Sequence, residues 1–345
     1  MKRVTSRSSN APTLAVVARA AGVSVPTVSK VLRGRADVAA STRDRVTMAL
    51  DRLGYPRHTS LIEVAPAGSV LIDVVTHELN TAWAAALLTA VERQARERGF
   101  SIVVTALSQR KPSSTPSRQW LNQVAARGSR GVLGLLVSFT EPQVDFLARH
   151  GLPCVVVDPY RIPVPGVRSV RLRNVKAERD ATTHLLELGH SRIGVVHGKP
   201  GALPSQERLD GYVAAMAAAG SPLDPALVRG GGFQVEGGKR AMAELLALPD
   251  PPSAVVFASD RMALGGYQAA ADLGFRIPDD VSIVGFDDTP EAALAQPPLT
   301  SVRQPADTMA RAGLNLLEGT VTAQEIRCDA ALVYRSSTAI LTSTH

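Results

Sequence analysis

The stretch AGVSVPTVSK, residues 21–30, decides how the rest of the chain is read. Behind it, Leu14, Val17, Ala18 and Ala21 stand at i, i+3, i+4 and i+7, one face of a short helix. Thr13 precedes that run as an N-cap candidate, and Gly22 closes it where a tight turn needs positive φ. Ser24 is placed to cap a second helix, whose Val28, Val31 and Leu32 give another apolar stripe ending at Gly34. Pro26 then falls in the first helical turn, where a missing N–H has no intrahelical partner to lose. A third helix is predicted over Arg43–Leu53, with Val46, Leu50 and Leu53 inward and Ser41 and Asp44 at capping-box spacing. Such short helices are not stable alone and must pack together. The pattern fits a helix-turn-helix unit and equally an ordinary helical hairpin.

Charge separates the two. The chain has 345 residues and a net charge of +7. Residues 1–60 hold 11 Lys/Arg against Asp37, Asp44 and Asp51, a net +8, whereas the remaining 285 hold 27 basic and 28 acidic groups. A small basic module joined to a near-neutral body is the footprint of a polyanion-binding headpiece. At 45% hydrophobic and 20% charged residues, the composition is that of a globular protein with room for two or three domains. Two cysteines, Cys154 and Cys328, sit in apolar stretches and imply neither a disulfide framework nor a metal site. MKRVTSRSSNAP lacks the apolar run of a signal peptide, and no segment is apolar enough to span a membrane, so a cytoplasmic location is expected.

The run TLAVVARAAGVSVPTVSKVLRGRADVAASTRDRVTMALDRLGY, residues 13–55, resembles the headpiece of the lactose/galactose-repressor (LacI) family, with Thr-Leu, Ala-Gly-Val-Ser, Thr-Val-Ser-Lys-Val-Leu, Thr-Arg and Leu-Gly-Tyr in place. The resemblance implies base contacts from Val25, Pro26 and Lys30, and phosphate contacts from Thr13, Ser24, Thr27, Ser29, Arg33, Thr42 and Tyr55. Val25 and Pro26 offer only apolar contact to thymine methyls, which leaves Lys30 as the recognition side chain that reaches guanine O6/N7. The expected division is a disordered basic tail over 1–12, the headpiece over 13–56, a hinge linker over 57–69 and an effector-binding, dimerising body over 70–345. In the family the linker becomes a hinge helix on DNA, with a leucine wedged into the minor groove. Counting from Tyr55, that wedge is Val64, with Leu61 as the alternative. His58, Thr59-Ser60 and Pro66 depart from the family pattern and leave a plain flexible linker equally open.

In the body, short apolar runs alternate with helical patterns. SVLIDVV (69–75), FSIVVTAL (100–107), GVLGLLVSF (131–139) and PCVVVDP (153–159) form one series, and RIGVVHG (192–198), SAVVFAS (253–259) and VSIVGFDD (281–288) a second. Helices are predicted around 84–98, 117–126, 176–188, 206–219, 236–247 and 262–274. The fold class is therefore α/β: a three-helix headpiece and two lobes with parallel, Rossmann-like sheets. Ligands of such lobes bind beyond the carboxyl ends of the strands, which singles out Asp158, Ser259-Asp260 and Asp287-Asp288. Each also fits a helix cap.

HLLELGHSRIGVV, ERLDGY, SDRMALG, IPDDVSIVGFDD and PPLTSVRQP resemble the family's periplasmic-binding-protein-like core, with a leaning toward the xylose/xylan-type branch. That resemblance implies Arg208 and Asp287 on sugar hydroxyls, Trp83 and Phe233 against the sugar's C–H faces, and Asp158 and Asn174 on the other side. Ser259 replaces the family's usual asparagine. The resemblance also places the dimer interface on the helices around 84–98 and 117–126.

Two rivals stand beside the expected DNA-binding regulator, a repressor: a sugar-binding protein with no DNA role and a Rossmann-fold enzyme. LIDVVTHELNTAW has no G-x-G-x-x-G, GGGFQVEGGK is no P-loop, and no G-x-S-x-G elbow occurs. The seven histidines show no ligand spacing, and His184 and His190 read as structural. The expectation is a non-enzymatic homodimer with operator DNA and a small sugar effector as partners, no cofactor and no metal. Arg208→Ala is expected to abolish the effector response and leave operator binding intact.

Overall fold

A computed structural model describes residues 13–32, 37–53, 70–77, 79–107 and 115–341. They fall into two compact units, one within 1–68 and one within 69–345. The expected tail over 1–12, the linker over 57–69, and Arg33, Tyr55, Leu61 and Val64 lie outside the described residues.

The first unit holds α1 (Leu14–Ala21), α2 (Val25–Leu32) and α3 (Ala40–Arg52). Gly22 adopts φ +66°, and the two helices it separates cross at 100°, the angle of a helix-turn-helix. Val17, Ala18 and Ala21 of α1, Val28 of α2, and Val46, Ala49 and Leu50 of α3 share one small core. The third helix starts a turn before the predicted Arg43. Ala39 already accepts from the Thr42 and Arg43 amides, because Ala39-Ala40 carries no side chain that competes with the helix. Ser41 and Asp44 therefore stand inside α3 rather than at its cap.

The second unit is two α/β lobes. Its first sheet uses β1 (Val70–Thr76), β2 (Phe100–Ala106), β3 (Val132–Leu135), β4 (Cys154–Val157) and β5 (Arg168–Leu172), separated by α4 (Ala82–Glu97), α5 (Arg118–Arg127) and α6 (Glu141–Arg149). The chain then enters the second lobe through α7 (Asn174–Glu187), β6 (Ile193–His197), α8 (Leu203–Ala218), β7 (Val228–Gly230), α9 (Val235–Leu246), β8 (Ala254–Phe257), α10 (Asp260–Asp272), β9 (Ser282–Asp287), α11 (Pro290–Leu294) and β10 (Thr300–Arg303). It returns with α12 (Ala306–Glu318) and β11 (Glu325–Cys328) to the first, and crosses back with β12 (Ala331–Val333). The strand orders are β11-β5-β4-β3-β1-β2 and β12-β10-β9-β8-β6-β7. Every pairing is parallel except β10 with β12, so the second sheet carries one antiparallel edge strand.

The continuous apolar runs became central strands. Val132–Leu135 and Ala254–Phe257 are buried along their whole length, as a sheet covered on both faces requires. The glycine-rich GGGFQVEGGK serves close packing rather than phosphate binding. A Cβ added at Gly237 would lie 1.9 Å from the Gly231 carbonyl oxygen, and one at Gly265 2.0 Å from that of Val235, so α9 and α10 touch backbone to backbone. His184 and His190 tie down the C-terminal strap: His184 Nε2 lies 3.0 Å from Thr338 Oγ1, and His190 Nε2 3.1 Å from the Ala339 oxygen. Cys154 and Cys328 are free, buried thiols. Among the described residues no single helix is long and apolar enough to cross a membrane, and no three His, Cys, Asp or Glu side chains gather as a metal site.

Candidate functional site

On the headpiece, the turn chemistry aims one helix face outward. Ser24 Oγ accepts from the Thr27 amide at 3.3 Å and lies 2.8 Å from Thr27 Oγ1, which fixes the start of α2. Pro26 follows in the first turn without cost to the ladder, since Val28 donates to the Ser24 carbonyl. Val28 points into the core, while Ser24, Val25, Pro26 and Lys30 are exposed and Thr27 and Ser29 half-buried. Thr13 and Thr42 flank this face in sequence; Thr13 stands at the N-cap of α1 without a side-chain cap bond. Lys30 Nζ is 2.7 Å from Asp37 Oδ2, with the two side chains 53% and 57% exposed. So solvated a pair is weak and salt-sensitive, and a polyanion can displace it.

In the second unit, a cavity of about 280 Å³ opens between the lobes at the carboxyl ends of their strands. The first lobe contributes Trp83 from the first turn of α4, and Asp158 just after β4. The second contributes Arg208 from α8, Phe233 from the loop before α9, Ser259 at the start of α10, and Asp287 at the end of β9. Among the described residues, the non-glycine residues with positive φ are Leu136, Asp158, Phe233, Asp287 and Asp288. The first four all line this cavity. Backbone strain of that kind is retained where surrounding structure fixes a functional geometry.

Arg208 is the most constrained side chain of the site. It is 4% exposed and its guanidinium lies 3.5 Å from the centre of the Phe286 ring. Nη1 donates to the Ala258 carbonyl at 2.6 Å and Nε to Asn174 Oδ1 at 3.0 Å, and Nη1 is 3.8 Å from Asp287 Oδ1. Asp287 in turn accepts from Gln304 Nε2 at 2.6 Å. Burial pushes the Asp287 carboxyl up to about 8, against the pull of Arg208. Asp158 accepts from Trp83 Nε1 at 2.9 Å, and burial raises it too, with Arg208 opposing. Ser259 caps α10, accepting from the Met262 amide at 3.3 Å, so the short hydroxyl that replaces the expected asparagine is spent partly on the helix.

Asn174 does not line the cavity. It is buried behind Arg208, donating to Glu207 Oε2 at 2.9 Å, and Glu207 pairs with Arg171 on β5. Arg171 reaches Glu325 on β11 at 2.7 Å. The chain Arg208–Asn174–Glu207–Arg171–Glu325 thus links the cleft wall of one lobe to the edge strand of the other. Asp260 and Asp288, singled out as strand-end candidates, do not line this cavity. Asp260 accepts from Ser301 Oγ and the Thr289 amide, and Asp288 is paired with Arg303 and Arg335. Sequence reasoning passed over His77, Lys199 and Arg261, which line the same cavity. Two of them stand at strand ends, His77 directly after β1 and Lys199 two residues after β6, and that position is the signal the sequence carries.

Residues 13–58 match the family described as "Bacterial regulatory proteins, lacI family", and residues 182–338 match "Periplasmic binding protein-like domain". The HTH-type transcriptional regulator MalR of Streptomyces coelicolor is 34% identical over 313 residues, 88% of each chain. Among solved structures, the complex of the transcriptional regulator CelR with cellobiose is 32% identical with a TM-score of 0.69, covering 94% of this chain and 99% of that one. The lac repressor dimer bound to operator and the anti-inducer ONPF is 25% identical with a TM-score of 0.68, covering 96% and 100%. These matches run through both units, and they set aside the enzyme and the DNA-free binding protein. The chain belongs to the lacI family of bacterial regulatory proteins and is a DNA-binding transcriptional regulator.

Proposed function

We propose that this regulator binds a pseudo-palindromic operator as a homodimer in the cytoplasm, and that a small saccharide in the interlobe cavity sets its grip on DNA. The observation that carries the reading is the cavity itself: Trp83 and Phe233 offer apolar faces to ring C–H groups, while Asp158, Arg208 and Asp287 present an acceptor, a fork of donors and a second acceptor. Asn174 acts one step back, by holding Arg208. On DNA, Val25 and Pro26 meet thymine methyls, Lys30 reads a guanine, and Thr13, Ser24, Thr27, Ser29, Arg33, Thr42 and Tyr55 hold phosphates. A ligand that bridges the two lobes binds the closed cleft better than the open one, and that difference is the coupling free energy, about 1–3 kcal/mol for useful regulation.

The test is fluorescence anisotropy of the full chain on operator candidates drawn from its own upstream region, with and without a panel of mono- and disaccharides. A saccharide that changes operator affinity at least fivefold, and raises the unfolding temperature of the DNA-free protein, supports the reading. No shift with any saccharide refutes it.

A further inference from the structure

Arg208, Arg261 and Lys199 bring three cations to the cavity wall. Arg208 already has protein partners: Nη1 donates to Ala258, Nε to Asn174, the guanidinium covers the Phe286 ring, and Asp287 lies 3.8 Å away. The other two differ. Arg261 Nη1 is buried without a hydrogen-bond partner, and neither the Arg261 nor the Lys199 side chain has an ion-pair partner among the described residues. Elsewhere on the body, several buried and half-buried guanidinium groups are paired: Arg171 with Glu207 and Glu325, Arg192 with Asp224, Arg335 with Asp288. Across the cleft, His77 Nδ1 is likewise buried and unpartnered.

A buried guanidinium N–H without an acceptor is costly, and a ligand that supplies one recovers that cost. A neutral hydroxyl satisfies the hydrogen bond but leaves the positive charge unbalanced. The acids on the wall do not balance it either. Asp158 is engaged by Trp83 and Asp287 by Gln304, burial keeps both carboxyls above their ordinary range, and Glu291 is exposed. Arg261 also lies in the first turn of the 13-residue helix α10, where the helix dipole favours negative charge.

We propose that the natural effector is an acidic saccharide whose carboxylate or phosphate seats against Arg261 and Lys199, with His77 closing on it from the other lobe. This deepens the proposed function and rests on the cleft being the saccharide site. The planar fork of Arg261 fits both a carboxylate and a phosphate, while Lys199 adds a point charge. With His77 on one lobe and Arg261 and Lys199 on the other, the anion is held fully only when the cleft is closed. The acidic group, rather than the sugar ring alone, then carries the signal to DNA.

Titration calorimetry of the full chain against matched probes tests this: glucose, glucuronate and glucose 6-phosphate, then cellobiose and cellobionate. The expected result is an acidic probe at least tenfold tighter than its neutral partner, with that ratio cut at least tenfold in Arg261→Gln and several-fold in Lys199→Ala. The carboxylate and phosphate arms separate the two sources of charge. Neutral probes binding as tightly as acidic ones, or an unchanged ratio in Arg261→Gln, overturns the anion seat and leaves the saccharide reading standing. Binding of no probe of either kind overturns both.

Discussion

Replacing Arg208 with methionine separates what this residue does for the fold from what it does for a ligand. Methionine keeps an apolar stem over Phe286 but removes the donors to the Ala258 carbonyl at 2.6 Å and to Asn174 Oδ1 at 3.0 Å. Each buried acceptor left without its donor costs about 1–3 kcal/mol. The lost cation–π contact, about 1–2 kcal/mol when desolvated, is offset in part by a sulfur–aromatic contact. Asp287 adds little, because burial already raises its carboxyl and losing the Arg208 charge raises it further, which favours the neutral form over a stranded charge. The expected total is about 2–5 kcal/mol, or roughly 5–15 °C in Tm for a body of this size. Thermal and urea unfolding of the full chain read it directly. A cycle with Asn174→Ala is expected to be non-additive by about 1 kcal/mol, since both changes break the same hydrogen bond. A loss under about 1 kcal/mol, or strict additivity in the cycle, refutes this account of Arg208. The expected separation of effector response from operator binding in Arg208→Ala is therefore best read in a variant whose Tm has been measured first.

Lys30→Ala is expected to cost about 1–3 kcal/mol on the specific operator and to relax preference at one base pair per half-site. An equal loss on random DNA, by anisotropy at fixed salt, would falsify its base-reading role. Effector affinity is expected to depend on pH through Asp287. A ligand hydroxyl that donates to this carboxyl is held more strongly when it is ionised, so Kd is expected to tighten several-fold as pH rises toward 8 and to level off above. A Kd that is flat from pH 6 to 9 removes Asp287 from the contact set. Glu178 is fully buried on α7 with neither carboxyl oxygen partnered, and burial pushes it up to about 8. A folded value raised above the ordinary 4.5 favours the fold at low pH and loses that contribution, about 1.4 kcal/mol per unit, as pH rises to 8. Glu178→Gln is expected to flatten the decline in Tm between pH 6 and 8; an unchanged slope would show that other groups set it.

The headpiece was legible in the sequence because its signals are local. The stripe from Leu14 to Ala21, Gly22 at the turn, and Ser24 before Pro26 each act within one or two turns of backbone. Central strands were legible for the same reason, since a strand buried on both faces must be continuously apolar. Strands with less to bury were missed: RSVRL of β5 carries two arginines, and β7 and β12 have three residues each. The α3 start was misplaced because a capping pattern was present where Ala39-Ala40 already sufficed.

Asp158, Ser259 and Asp287 were found by the rule that ligands meet strand ends, and that rule follows from the order of the chain alone. Which strand-end residues face the cavity was settled by packing. Asp260 and Asp288 turned to partners in β10 and the C-terminal strap, and Asn174 retreated behind Arg208. Arg261 and Lys199 came into the same cavity as Trp83 through segments more than 100 residues apart. The sequence by itself determined the headpiece, the two α/β lobes and the family. Only the tertiary structure decided which charges are neutralised and which are left unpaired, because pairing depends on distances that local periodicity does not record.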